Sequence, residues 1–444
     1  MGRILMIFVG LLSSLTALAQ KEVRTYYDPQ KEKPQEIYFV LPKNESKKVG
    51  KYLRFYENGN VMIEGNYEDG LKSGFFLEHH ENGKPARSLV YVRGMRHGAV
   101  EVFNEEGLPI QKAYYQNDKL TDSIQIYFDN GNIKGQTYFV DGKPEGLVKE
   151  YYPSGALKKE ISYKNGKPNG ITRTYYEDGV IETEANYKEG ILSGFYKNYY
   201  TNGQLETVST MEAGSKNGKF TTYDREGNRI AEGNFMNGQM HGANIGYHKD
   251  GSIQHRYQYK EGKKVGTNYD YYPSGAVQVK ESIASNGDVT EQRYTENQQL
   301  ISEKRFRNGK PHGVWLLYEN GNKNPWRKEV YDAGRLNGTR ITYYPSGKVK
   351  QEEPFKFNLL TGTFKEYYES GVLKSQTEFK NNRKLGLSYT YFENGKPQEV
   401  GEYAADKKHK EWKEYDIQGN LLRTRIFRAG NLIETREEQR HESD

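Results

Sequence analysis

The 444-residue chain contains no cysteine and only three tryptophans. Without cysteine there is no disulfide framework, no thiolate metal site and no lipidated cysteine behind an export signal, so stability must come from packing and backbone pairing. Charge of one sign is also missing. The 65 basic and 59 acidic residues leave a formal charge of +6, a balance that supplies no field to attract nucleic acid. Apolar residues are scarce, at 34% with a mean hydropathy of −0.96. Chains this polar often bury too little surface to offset the entropy of ordering. Yet 38 tyrosines and 18 phenylalanines are present, and disordered chains are poor in rings. The apolar surface is concentrated in amphipathic side chains, which predicts a folded protein.

The one long apolar run opens the sequence. MGRILMIFVGLLSSLTALAQ carries Arg3, apolar residues from Ile4 to Leu12, and the small-x-small triplet Ala17-Leu18-Ala19. This pattern reads as a secretory signal peptide over residues 1–19, since the run is too short to span a bilayer. Loss of Arg3 with the leader would leave 64 basic residues against 59 acidic ones, a charge of +5. An exported protein is expected in the periplasm, at the cell surface or outside the cell.

Beyond the leader, one pattern fills the chain. Residues 151–170 read YYPSGALKKEISYKNGKPNG, and a glycine recurs every twenty-four residues from Gly59 through Gly179 to Gly275. After a slip at Gln298 the series resumes with Gly321, Gly347, Gly371, Gly395 and Gly419, making sixteen units. A second pair of turn residues, such as Gly166 and Gly170, divides each unit. The runs between turns are about eight residues long and lack helical spacing, so they predict strands. Repeated hairpins need neighbours to bury a face. The predicted fold is therefore all-β: an elongated array of antiparallel β-hairpins forming a single long, twisted meander sheet. Residues 20–50 form a degenerate half-repeat that caps the array, residues 51–433 hold the repeats, and residues 434–444 form a charged tail.

Two slots are aromatic in nearly every unit, Met211 and Ile283 being the exceptions in the one that holds Tyr187. The slot of Tyr175, four before the turn glycine, is Tyr or Phe in all units except those of His79 and Leu317. The slot of Tyr187, eight after it, runs from Tyr67 through Tyr187 to Phe427. With a three-residue loop at Glu177-Asp178-Gly179, strict alternation puts Ile171, Arg173, Tyr175, Ile181, Thr183, Ala185 and Tyr187 on one face, which is expected to be the core. The next slot holds Tyr56, Tyr152, Tyr176, Tyr200, Tyr272, Tyr344 and Tyr368 but also Asp224 and Asp416. Acceptance of aspartate points to a wet position, so these seven tyrosines are the candidate partner-binding stripe. Exposed rings give contact area at low entropy cost.

The segment GKPHGVW at Gly309–Trp315, echoed by GKPNG at Gly166, GKPEG at Gly142 and GQMHG at Gly238, resembles the centre of MORN repeats. With ExxYKxG and YYxxG it is similar to the bacterial MORN-variant form. The resemblance implies a hairpin scaffold for protein assembly, with lipid contact proposed for some members and an antitoxin-like role for certain bacterial ones. Two segments, YDREGNRI at Tyr223 and YDIQGNLL at Tyr415, look instead like the YD repeats of secreted toxin shells. The low tryptophan count argues against choline- and glucan-binding repeats.

No catalytic constellation emerges, because a repeat distributes like residues evenly whereas catalysis needs unlike ones converging. GSKNGKF at Gly214 has the wrong spacing for a phosphate loop and lacks the following Ser or Thr. His97, His241 and His312 share a slot with Asn169, Glu145 and Ser193, which is not ligand behaviour, and neither is the His79-His80 pair in isolation. The sequence thus predicts a non-enzymatic exported scaffold without cofactor or metal. Protein is the expected partner, and lipid headgroups or glycan are the alternative.

Overall fold

The computed structural model describes residues 20–319 and 321–438. The predicted leader lies outside the described residues, as do residues 439–444 of the tail. Two compact units divide the chain, Met1–Ser215 and Lys216–Asp444. Within each, the described strands pair antiparallel with their sequence neighbours, and no helix occurs among the described residues. The all-β hairpin array is the fold. The cap region supplies strands Lys21–Tyr26, Pro34–Leu41 and the start of Asn44–Phe55. At the other end, Asn431–Glu437 is a strand paired with Leu421–Arg428, so the charged tail begins inside a ladder.

The turns explain the period. Lys167–Tyr175 and Ile181–Lys188 are joined by the expected loop, in which the Gly179 N–H donates to the Tyr176 carbonyl at 2.9 Å and the Tyr176 N–H to Val180 at 2.8 Å. Gly179 closes this turn at φ +88°, a conformation that a Cβ makes costly. The second turn is tighter. Asn165 and Gly166 both take positive φ, 52° and 78°, as a two-residue hairpin that matches strand twist requires.

The expected division of faces is overturned. Thr174 pairs with Thr183 but Tyr175 with Ile181, which leaves Glu182 as an extra residue. This β-bulge shifts the phase by one, and a one-residue shift moves every side chain beyond it to the other face. Tyr175 consequently shares a face with Arg173, and its hydroxyl donates to Glu160, opposite Arg173, at 3.0 Å. Tyr187 lies on the other face with Thr172 and Ala185. The same shift recurs before the first turn of other hairpins, including those ending at Phe55, Tyr343 and Tyr415. It also relocates one slot. Tyr318 pairs with Pro325 across the shift as Tyr343 does with Val349, so Tyr318, not Leu317, holds the aromatic position, and one extra residue of that unit sits in its turn.

The most buried row lies on the Tyr187 face, between the two turns. It consists of the cross-strand pairs equivalent to Thr172 and Ala185: Tyr52 with Gly65, Phe76 with Leu89, Val100 with Ala113, Phe220 with Gly233, and Trp412 with Arg425. Phe76 is 1% exposed, its ring edge-on to Tyr67 at 5.6 Å and Tyr91 at 5.2 Å. Glycines in the row make space for neighbouring rings. A Cβ at Gly65 would come within 2.5 Å of Phe76, and one at Gly401 still closer to Trp412.

Candidate functional site

The tyrosine stripe is less exposed than its aspartates suggest. Tyr56, Tyr152, Tyr176, Tyr200, Tyr272, Tyr344 and Tyr368 are all partly buried. The hydroxyls of six of them reach into the next repeat. Tyr56 donates to the carbonyl of His79, Tyr152 to Tyr175, Tyr176 to Tyr199, Tyr272 to Tyr294, Tyr344 to Tyr367 and Tyr368 to Tyr391, all between 2.8 and 3.0 Å. Tyr27 bonds Phe55 in the same way, and the Nε2 atoms of His80 and His248 contact the carbonyls of Phe103 and Tyr271. The aspartates of this slot are not signs of solvent. Asp224 and Asp416 accept backbone N–H bonds from Asn228 and Asn420 in their own turns, the Asx arrangement that suits such residues to turns. One slot therefore holds two devices: a ring with a polar tip that latches the next repeat, or a short acceptor that caps its own turn. The mixture of Tyr with His was the available sequence signal, since both present a polar group at a similar reach.

The histidine slot has a comparable explanation. Asn169, Asn337 and Thr361 accept the backbone N–H of Glu189, Phe357 and Asn381, the first residue of the following tight turn. Glu145 does the same for Asn165 at 2.7 Å. His97, His241 and His312 occupy this stacking position and do not converge. Among the described residues, no group of three or more His, Asp or Glu side chains is placed to hold a metal ion.

On the Tyr175 face the first unit carries a ladder of alternating charge across five strands: Lys149, Glu160, Arg173, Glu184 and Lys197 are successive cross-strand neighbours. Glu184 is the most enclosed member, gripped by Arg173 at 2.8 Å and Lys197 at 2.9 Å. Burial alone would raise the pKa of its carboxyl. The hydrogen bonds and charges of Lys197 and Arg173 more than offset that, and the pKa is held below the usual value. A buried carboxylate with two cationic partners is a structural clamp.

The same face has a second row, one step nearer the tight turns, and there the first unit exposes apolar groups. Phe75 pairs with Val90, Ala99 with Tyr114, Ser123 with Tyr138, Leu147 with Ser162 and Ile171 with Asn186. Phe75 is 75% exposed, and Tyr114, Tyr138, Leu147 and Ile171 are exposed as well. In the second unit four of the nine equivalent pairs are wholly polar, Lys219 with Asn234, Thr267 with Ser282, Thr290 with Arg305 and Thr363 with Glu378, while others keep apolar members, such as Val314 with Val330 and the exposed Leu387 with Glu402. Contiguous exposed apolar side chains are uncommon on soluble surfaces and mark contact sites. Alternation alone did not reveal this row, because the bulges decide which face each residue joins.

Six segments, residues 48–69, 144–165, 168–189, 336–357, 360–381 and 384–405, match a family described as MORN repeat variant. No curated protein matches the chain. Among solved structures, that of a Photorhabdus luminescens Tc holotoxin pore with a mutated TccC3 is 11% identical, covering 91% of this chain and 27% of that one at a TM-score of 0.16. A crystal structure of TcdB2-TccC3-Cdc42 is 12% identical, covering 92% of this chain and 29% of that one at a TM-score of 0.14. The chain spans under a third of the length of these two structural matches.

Proposed function

Because the chain is a MORN-variant repeat protein, we propose that it works as an exported, non-enzymatic scaffold that binds another protein through the exposed apolar row of its first unit. The observation that carries this reading is the row itself. Phe75, Tyr114, Tyr138, Leu147 and Ile171 each belong to the same cross-strand pair of successive hairpins, so a partner that lies across the strands meets a ring or an aliphatic group at each repeat. Rigid aromatic anchors surrounded by polar residues are the usual composition of protein contact sites. The charge ladder runs beside the row on the same face.

The test is a pulldown of exported proteins with the chain lacking residues 1–19, in physiological salt, beside phosphatidylglycerol vesicles and purified cell-wall glycan. A stable protein partner that the wild type captures and the Phe75→Ser/Tyr138→Ser variant loses is the expected result. Retention on vesicles or glycan without a protein partner would reverse the assignment in favour of a surface-binding role.

A further inference from the structure

Five glycines lie within strands of the described residues without positive φ: Gly65, Gly135, Gly233, Gly246 and Gly401. Each removes a side chain from the Tyr187 face. In four cases a ring of the chain occupies the vacated space. Phe76 lies over Gly65, Phe220 over Gly233, His255 over Gly246 and Trp412 over Gly401, all within 2.8 Å of where a Cβ would stand. Gly135 is different. A Cβ there would meet only the Lys149 carbonyl oxygen, at 3.6 Å. The equivalent position in other repeats carries a full side chain, such as Ile63, Gln111, Lys159 or Thr183.

The unfilled gap opens a groove of about 530 Å³ within the first unit. Ile124, Ile126, Val148, Phe128 and Tyr152 are among its lining residues and make it largely apolar. Ile126 is 43% exposed there, an unusual position for a large aliphatic group on the most buried face. Charge at the mouth has a sign. Lys134 sits over the Phe128 ring at 5.7 Å and Lys158 over the Tyr152 ring at 5.4 Å, while Glu150 contributes a single carboxylate. Two ammonium groups against one carboxylate favour an anion, and an apolar lining with a few placed charges is the general form of a small-molecule site.

We infer that this groove binds a small aromatic carboxylate, the ring filling over Gly135 the space that a side chain of the protein fills over the other four glycines, and the carboxylate lying between Lys134 and Lys158. The inference is independent of the protein-binding row, which is on the opposite face.

The test is calorimetric titration of the full chain with 4-phenylbutyrate, and with 4-phenylbutylamine as a probe of the same shape and opposite charge. The expected result is saturable binding of the acid and at least tenfold weaker binding of the amine. Gly135→Ile is expected to abolish binding with its melting temperature kept, because a side chain at this slot meets open space. The Lys134→Gln/Lys158→Gln variant changes only exposed side chains and is expected to bind the acid at least tenfold more weakly. Absence of saturable binding to the wild type, equal affinity for acid and amine, or undiminished affinity in either variant would overturn the assignment.

Discussion

The same central row is built from opposite materials in two stretches of the molecule. In residues 48–116 it holds Tyr52 with Gly65, Phe76 with Leu89 and Val100 with Ala113. In residues 242–353 it is mainly polar, holding Asn244 with Tyr257, Asn268 with Glu281, Glu291 with Lys304, Trp315 with Glu329 and Arg340 with Glu353. The backbone does not register the difference. Gly83 and Gly275 close their turns at φ 84° and 83°, donating to His80 and Tyr272 at 2.9 and 2.8 Å. The hairpin is therefore specified by its turns, its bulge and the hydrogen bonds that pass from one repeat to the next, while the row between them accepts apolar and polar side chains alike, including the buried hydroxyls of Thr172 and Ser209, which have no hydrogen-bond partner among the described residues. That freedom is how a chain of mean hydropathy −0.96 folds without an apolar core along its whole length.

Substitutions in the row sharpen the contrast. Phe76→Ala, which empties a ring-lined site in the first stretch, is expected to destabilise its unit by about 3–5 kcal/mol, read as a lower urea midpoint. Asn268→Ala acts by another route. The Asn268 side-chain oxygen accepts the Gln258 N–H at 2.7 Å, and leaving that donor without a partner costs about 1–3 kcal/mol. If Asn268→Ala proved the more damaging of the two, the apolar stretch would not be the better packed one. The latch should ignore the contrast altogether. Tyr152→Phe in the first unit and Tyr344→Phe in the second each remove one hydroxyl bond to a backbone carbonyl, and equal losses of about 0.5–1.5 kcal/mol are expected. Unequal losses would mean that the row influences the latch.

The period, the strands and both turns were legible in the sequence because each rests on a local preference: glycine at positive φ, Asn-Gly in a two-residue turn, short runs without helical spacing. The faces were not. Tyr175 and Tyr187 are twelve residues apart, and even spacing puts them together only if the ladder is regular. The extra residue Glu182 moves one of them across, and no residue type announces a bulge of this kind. The hydroxyl bonds of the tyrosine stripe were missed for a related reason. Exposure was inferred from the aspartates of that slot, yet Asp224 and the tyrosines satisfy different backbone groups from the same position. The groove over Gly135 was legible only in part, since a strand glycine announces a missing side chain but not whether a neighbouring ring fills the space.

The central claim is the shifted register, and the absence of native cysteine allows a direct measurement of it. Two double variants, Thr172→Cys/Ala185→Cys and Ile171→Cys/Ala185→Cys, are to be treated with a short thiol-bridging reagent and the intramolecular crosslink scored by mass spectrometry. Thr172 and Ala185 are cross-strand partners on one face, whereas Ile171 is opposite Asn186. Efficient bridging of the first pair and little of the second is predicted. The reverse pattern would restore unbroken alternation, put Tyr175 and Tyr187 back on one face, and contradict the account.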